Sequence, residues 1–164
     1  MTKRLLWRVT KSDRARTAFT GKGAARHPGR WNERGVPVVY TAESLAGAVL
    51  ELLAHAPEVP FSESWVYFRV EVLEEAVLEL DPKALPPNWN AFPHPTSTQR
   101  IGASWQRKRA SVGLRVPSAL IPETYNVLLN PEHPDFERAV RVEGPFPVKI
   151  DPRLKELGKP PPVD

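Results

Sequence analysis

Hydrophobic and polar positions change period several times along the chain, and each change marks an element. Leu5 to Thr10 is apolar apart from Arg8 and predicts an opening strand. Residues 11 to 35 hold neither a helical nor a strand period and predict one long loop. Pro37 to Thr41 is β-branched and bounded by turn residues, which predicts a short strand ending at Tyr40. The clearest helix follows. It starts at Glu43 or Ser44, sets Leu45, Val49, Leu52 and Leu53 on one stripe, and stops before Pro57. Trp65 to Val72 alternates, with Val66, Phe68, Val70 and Val72 on one face, as in a strand with one buried side. Val77 to Leu80 reads as its continuation after a turn at Glu74 and Glu75.

Residues 82 to 95 contain five prolines together with Trp89 and Phe92, an ordered loop rather than a linker. A second helix is expected over about 97 to 109, with Thr96 or Ser97 as N-cap and Arg107 to Arg109 at the end where the helix dipole favours cations. Short strands follow near 112 to 116, 124 to 129 and 145 to 150. The reading is a single α+β domain over residues 1 to 157, with mixed or antiparallel sheets and a few helices, and a frayed Pro-rich tail over 158 to 164. Composition agrees. The 19 prolines among 164 residues exceed the usual share of about 5% and exclude long helical bundles. The absence of cysteine excludes a disulfide scaffold, a cysteine metal centre and a thiolate nucleophile. No apolar run approaches the ~20 residues that cross a bilayer, and the first residues are too weakly apolar for a signal peptide, so a soluble, cytoplasmic protein without membrane contact is expected.

Charge adds a further constraint. The net charge is +4, yet residues 1 to 34 hold ten basic and two acidic residues, so the rest of the chain is net acidic. A second basic stretch, 82 to 122, contains Lys83, Arg100, Arg107, Lys108, Arg109 and Arg115 and no acid. Two solvated faces explain this; so does convergence on one phosphate-bearing ligand or nucleic acid.

Arg30, Tyr40 and Glu51 stand out by context. Arg30 lies between Gly29 and Trp31 in the basic loop, Tyr40 ends a strand, and Glu51 is the one charge between Leu45 and Ala54. Each has an ordinary reading as well: a turn-capping arginine, a half-buried tyrosine, and a solvent-facing glutamate sharing its helix face with Ser44, Ala48 and His55. The histidines 27, 55, 94 and 133 show no metal-ligand spacing, and His133 suits a structural hydrogen bond. GKG at 21 to 23 matches no phosphate loop, and Ser118 lacks a hydrolase elbow.

The run GKGAARHPGRWNERGVPVVYTAESLAGAVLELLAH, followed by LRVPSALIPETYNVLLNPEHPDF, resembles the RES domain, a family named for a shared Arg, Glu and Ser. The resemblance extends from RLLWRVT to FPVKIDPRL. It departs at Pro28, where the family usually has a second glycine. The resemblance implies an ADP-ribosyltransferase-like fold and a bacterial toxin that consumes NAD, by hydrolysis, by phosphorolysis with inorganic phosphate as co-substrate, or by ADP-ribosylation of a protein. It implies Arg30, Glu51 and Ser118 as the named trio, Tyr40 as the active-site aromatic and Asn126 as a further site residue. It also implies an Xre-type antitoxin covering the site, no metal and no direct nucleic-acid contact, and leaves a homodimer open.

These residue types suit that chemistry. Breaking the nicotinamide–ribose bond builds positive charge on the ribose, which the Glu51 carboxylate would stabilise. Arg30 would hold the pyrophosphate, Tyr40 would stack on the flat nicotinamide, and the Ser118 hydroxyl would meet the ribose or the nicotinamide amide. The competing reading is a nucleic-acid-binding or RNA-cleaving module, suggested by the basic stretches and by Trp31, Trp89 and Trp105. A third is an inactive interaction domain.

Overall fold

The computed structural model describes residues 1–55 and 64–156. Seven strands form one sheet: β1 (Lys3–Lys11), β2 (Val39–Ala42), β3 (Trp65–Leu73), β4 (Val77–Glu79), β5 (Gly113–Pro117), β6 (Tyr125–Leu129) and β7 (Val140–Pro147). Their order is β4-β5-β6-β2-β1-β3-β7. Every neighbouring pair is antiparallel except β4–β5, which is parallel. The helices are α1 (Lys22–Arg26), α2 (Leu45–His55), α3 (Thr96–Lys108) and α4 (Phe136–Ala139). The α+β expectation therefore holds.

The central strands are buried on both faces, so β6 is apolar almost throughout. Val127 and Leu129 point into one core with Leu6, Phe68, Val70 and Val72. Leu128 points the other way, into a second core with Trp31, Val36, Val38, Ala103, Trp105, Leu114 and Val116. Asn126 shares the face of Leu128, and the register Tyr40↔Leu128 and Ala42↔Asn126 puts Tyr40 there too. The second core therefore floors the candidate site.

Helix α3 closes this core. Gly102 lies directly on the Trp31 carbonyl: a Cβ at that position would fall 1.6 Å from the oxygen. This contact fixes the loop that carries Arg30.

Several expectations need correction. The 11 to 35 segment is not one loop. It holds a 3-10 turn at Ser12–Thr17 and helix α1, both shorter than the window in which a period shows. β4 does not continue β3; it crosses to the opposite edge and pairs with β5. The N-cap of α3 is Pro95 rather than Thr96 or Ser97, and it supplies no side-chain bond. The last strand starts at Val140 rather than near 145, preceded by the short α4. Its exposed edge position leaves little alternation to read. Trp31 and Trp105 are buried, and the Trp105 indole donates to Ser111 Oγ at 2.8 Å, so neither is a surface aromatic. Helix α2 runs through His55 as expected, but Pro57 and the 158 to 164 tail lie outside the described residues.

Candidate active site

Glu51 stands on the second turn of α2, facing the end of the β5–β6 pair. Its Oε1 accepts from Ser118 Oγ at 3.0 Å and from Asn126 Nδ2 at 2.8 Å. Ser118 follows the end of β5 and Asn126 opens β6. The backbone bond from Ser118 N to Thr124 O, at 2.9 Å, closes the connection between them. Two neutral donors on one carboxylate oxygen orient the group without neutralising it, and they leave Oε2 unengaged by either. Sequence spacing gave no hint that residues 67 and 75 positions apart would meet here.

Arg30 is held from the proline-rich loop. Its Nη1 donates to the carbonyls of Trp89 at 2.8 Å and Ala91 at 2.7 Å. That leaves Nε and Nη2 for a ligand. Burial lowers its proton affinity, opposed by attraction to Glu51 and Tyr40, so the cation and the carboxylate act on one another across the site.

Tyr40 fastens this loop. Its hydroxyl donates to Asn32 Oδ1 at 2.6 Å and accepts from Trp31 N at 3.1 Å. Burial raises its pKa well above the ordinary tyrosine value. Gly29 packs against the ring so closely that a Cβ would lie 2.8 Å from Oη. Asn32 is fully buried. Its amide nitrogen donates to the carbonyls of Ala24 and Val36, and its oxygen also accepts from Gly29 N. Gln99 on α3 adds a bond to Gly29 O at 3.0 Å.

Asn32, Gln99 and Gly102 thus shape the Arg30 loop, and residue patterns assigned them no part in the site. Arg8 is another such residue. It interrupts an apolar strand in the sequence, yet its Nε donates to Ala18 O at 2.6 Å and its Nη1 to Tyr40 O at 3.0 Å. Burial pulls its pKa down to about 10. The two basic stretches do meet, through Gln99 to Gly29 and through the Arg107–Glu33 ion pair at 3.2 Å.

His94 completes the Arg30 side. Its ring lies 6.1 Å from that of His55, whose Nδ1 is 2.7 Å from the Glu51 carbonyl oxygen. Burial lowers the His94 pKa; Arg30 and His55 push it the same way, while Glu51 opposes them. Beside Glu51 a groove of about 380 Å³ runs between α2 and the β5–β6 connection. Glu51, Ser118 and Asn126 line it, together with Leu50, Leu120 and Ile121; Arg30 and Tyr40 do not.

The model of the RES domain family matches residues 5–151. A curated protein named Toxin Res from Yersinia enterocolitica is 35% identical over 92% of this chain and 99% of its own length. One of the same name from Photorhabdus laumondii is 36% identical over 94% and 99%. A Sphingobium protein named Prs ADP-ribosylating toxin is 35% identical over 79% and 83%. A chain in the crystal structure of the M. tuberculosis MbcT-MbcA toxin-antitoxin complex superposes with a TM-score of 0.74 at 20% identity, covering 94% of this chain and 88% of that one. That last likeness shows a shared fold.

Proposed function

The chain belongs to the RES domain family, and from that premise we propose that it is the toxin of a bacterial toxin–antitoxin pair that cleaves NAD+ at the nicotinamide–ribose bond. The observation that carries the reading is the Glu51 carboxylate, oriented by Ser118 and Asn126 and electrostatically coupled to Arg30. The names of the related toxins support it.

In this reading the C1′–N bond breaks and its electron pair leaves on nicotinamide. The ribose gains oxocarbenium character, and water or inorganic phosphate then attacks C1′. Glu51 supplies negative charge beside the developing cation. Ser118 and Asn126 keep the carboxylate in one orientation, so little reorganisation is needed as the charge appears. Arg30, anchored through Nη1, presents its remaining N–H groups to the pyrophosphate. Tyr40 holds the loop that carries Arg30, and the part of its ring left uncovered is available to the nicotinamide.

A cognate antitoxin of Xre type is the proposed partner, placing a segment over the site. The shared fold with a chain of a toxin-antitoxin complex supports an antitoxin, and the half-exposed Leu50, Leu120 and Ile121 beside Glu51 offer apolar area to cover. A second reading, ADP-ribosyl transfer to a protein, is favoured by the same groove, which reaches Glu51 and is not lined by Arg30.

The test is to incubate the purified, antitoxin-free chain with NAD, with and without inorganic phosphate, and to resolve the products by mass. Nicotinamide with ADP-ribose is the hydrolytic outcome; ADP-ribose 1-phosphate appearing only with phosphate is the phosphorolytic one. Glu51→Gln is expected to lower the rate on the order of 10²-fold or more while leaving the fold intact. NAD left intact by the folded chain, both alone and with cell protein as acceptor, overturns the proposal.

A further inference from the structure

Phe92 is 86% exposed, the most exposed aromatic side chain among the described residues. A lone apolar side chain at the surface needs no explanation. This one differs in what it is attached to. It directly follows Ala91, whose carbonyl holds the Arg30 guanidinium, and its ring meets that of His94 edge-on at 6.0 Å and 87°. His94 in turn packs on His55, one helical turn beyond Glu51. The ring therefore stands beside the loop that anchors Arg30, with a face open to solvent.

His94 and Ser97 are not available to a ligand at this face: His94 Nδ1 and Ser97 Oγ are buried, without a partner among the described residues. What the segment offers outward is the ring face of Phe92, and the flat face of a nucleobase suits it.

We propose that Phe92, backed by His94, is the stacking platform for the adenine of NAD. The inference rests on the NAD-cleaving reading, and the order of groups follows from it. With the reacting ribose at Glu51 and the pyrophosphate on the free side of Arg30, the adenosine half continues past Arg30, where the 89 to 94 loop stands. Base–aromatic stacking tolerates an exposed ring, because both partners offer π-faces.

The experiment compares NAD with nicotinamide mononucleotide, which has the same scissile bond but no adenosine. For the wild-type chain, KM for nicotinamide mononucleotide should exceed that for NAD. Phe92→Ala should raise KM for NAD roughly tenfold, a typical loss for one base–aromatic stack. It should leave kcat within about twofold and KM for nicotinamide mononucleotide unchanged, and Phe92→Trp should restore the NAD value. The exposed position makes loss of folding unexpected, and circular dichroism checks it.

Equal KM shifts for both substrates, or no shift for either, overturn the proposal; the latter result would leave Phe92 as a contact for a protein partner. If the wild-type chain releases no nicotinamide from either substrate, the functional reading has failed, and calorimetry with AMP decides the subsite alone. AMP binding that Phe92→Ala weakens about tenfold supports it; absent or unchanged binding overturns it.

Discussion

Arg30, His55 and Glu51 all act on the His94 imidazole, and their signs differ. Burial, Arg30 and His55 disfavour its cation, whereas Glu51 favours it. The ring should therefore titrate below the ordinary histidine value of about 6.5 and be neutral at pH 7. NMR titration of the histidine ring protons checks this with two variants of opposite sign. Arg30→Gln removes a repelling cation and should raise the His94 pKa; Glu51→Gln removes an attracting anion and should lower it further. Stability follows the same sign. Because the folded-state pKa is depressed, acidification through about 6.5 protonates the unfolded chain first, and stability falls with pH until the folded His94 titrates. Unshifted titration in both variants would mean that the site charges do not share one field. The sequence already singled out Arg30, Tyr40 and Glu51, because each is unusual where it stands. Asn32 and His94 were not legible in that way. Asn32 works through carbonyls of its own loop, and His94 through rings and charges contributed by separate segments.

Elements with a long, clean period were readable from the chain alone. β3 alternates over Trp65–Leu73, and α2 holds its stripe over Leu45–His55. Failures came where pairing or closure decides. β4 is apolar like β3, and no local feature shows that it crosses the molecule to join β5. Contacts between α3 and the Arg30 loop were equally invisible, yet they are the tightest in the site. A methyl group at Gly102 would overlap the Trp31 carbonyl, and backbone cannot swing aside as a flexible side chain would. Gly102→Ala should therefore cost at least the ~1–3 kcal/mol of an overpacked core. It should also lower the rate of NAD loss, because the loop it displaces carries Arg30. Gly23→Ala is the matched control: no atom lies within 4 Å of its Cβ position, and the change should be neutral or stabilise by up to about 1 kcal/mol. Thermal melts and NAD kinetics on the two variants separate the outcomes; equal effects would place no special demand on the α3 contact.

Across the whole molecule, Glu51 belongs to two groupings. It is electrostatically coupled to Arg30, Tyr40 and His94, and it lines the groove between α2 and the β5–β6 connection, which those three residues do not line. The far end of that groove is braced across the sheet. Glu43, which lines it, accepts from Arg4 of β1 at 2.7 Å and from Arg115 of β5 at 2.6 Å. Arg115 also covers the ring of Tyr125, another lining residue, at 3.5 Å. A groove with braced ends and half-exposed Leu120 and Ile121 on its rim keeps its shape when empty, as a binding surface requires. If NAD lies along Arg30, this groove offers a separate approach to Glu51 for whatever attacks or covers the reacting carbon. The double variant Leu120→Lys, Ile121→Lys places two cations there without touching Glu51, Ser118 or Asn126. Nicotinamide release to water should persist within a few-fold. Transfer of labelled ADP-ribose to bacterial protein, where the wild type shows it, and protection by the antitoxin should both fall by tenfold or more. Loss of hydrolysis together with transfer in a folded variant would instead assign the groove to NAD itself.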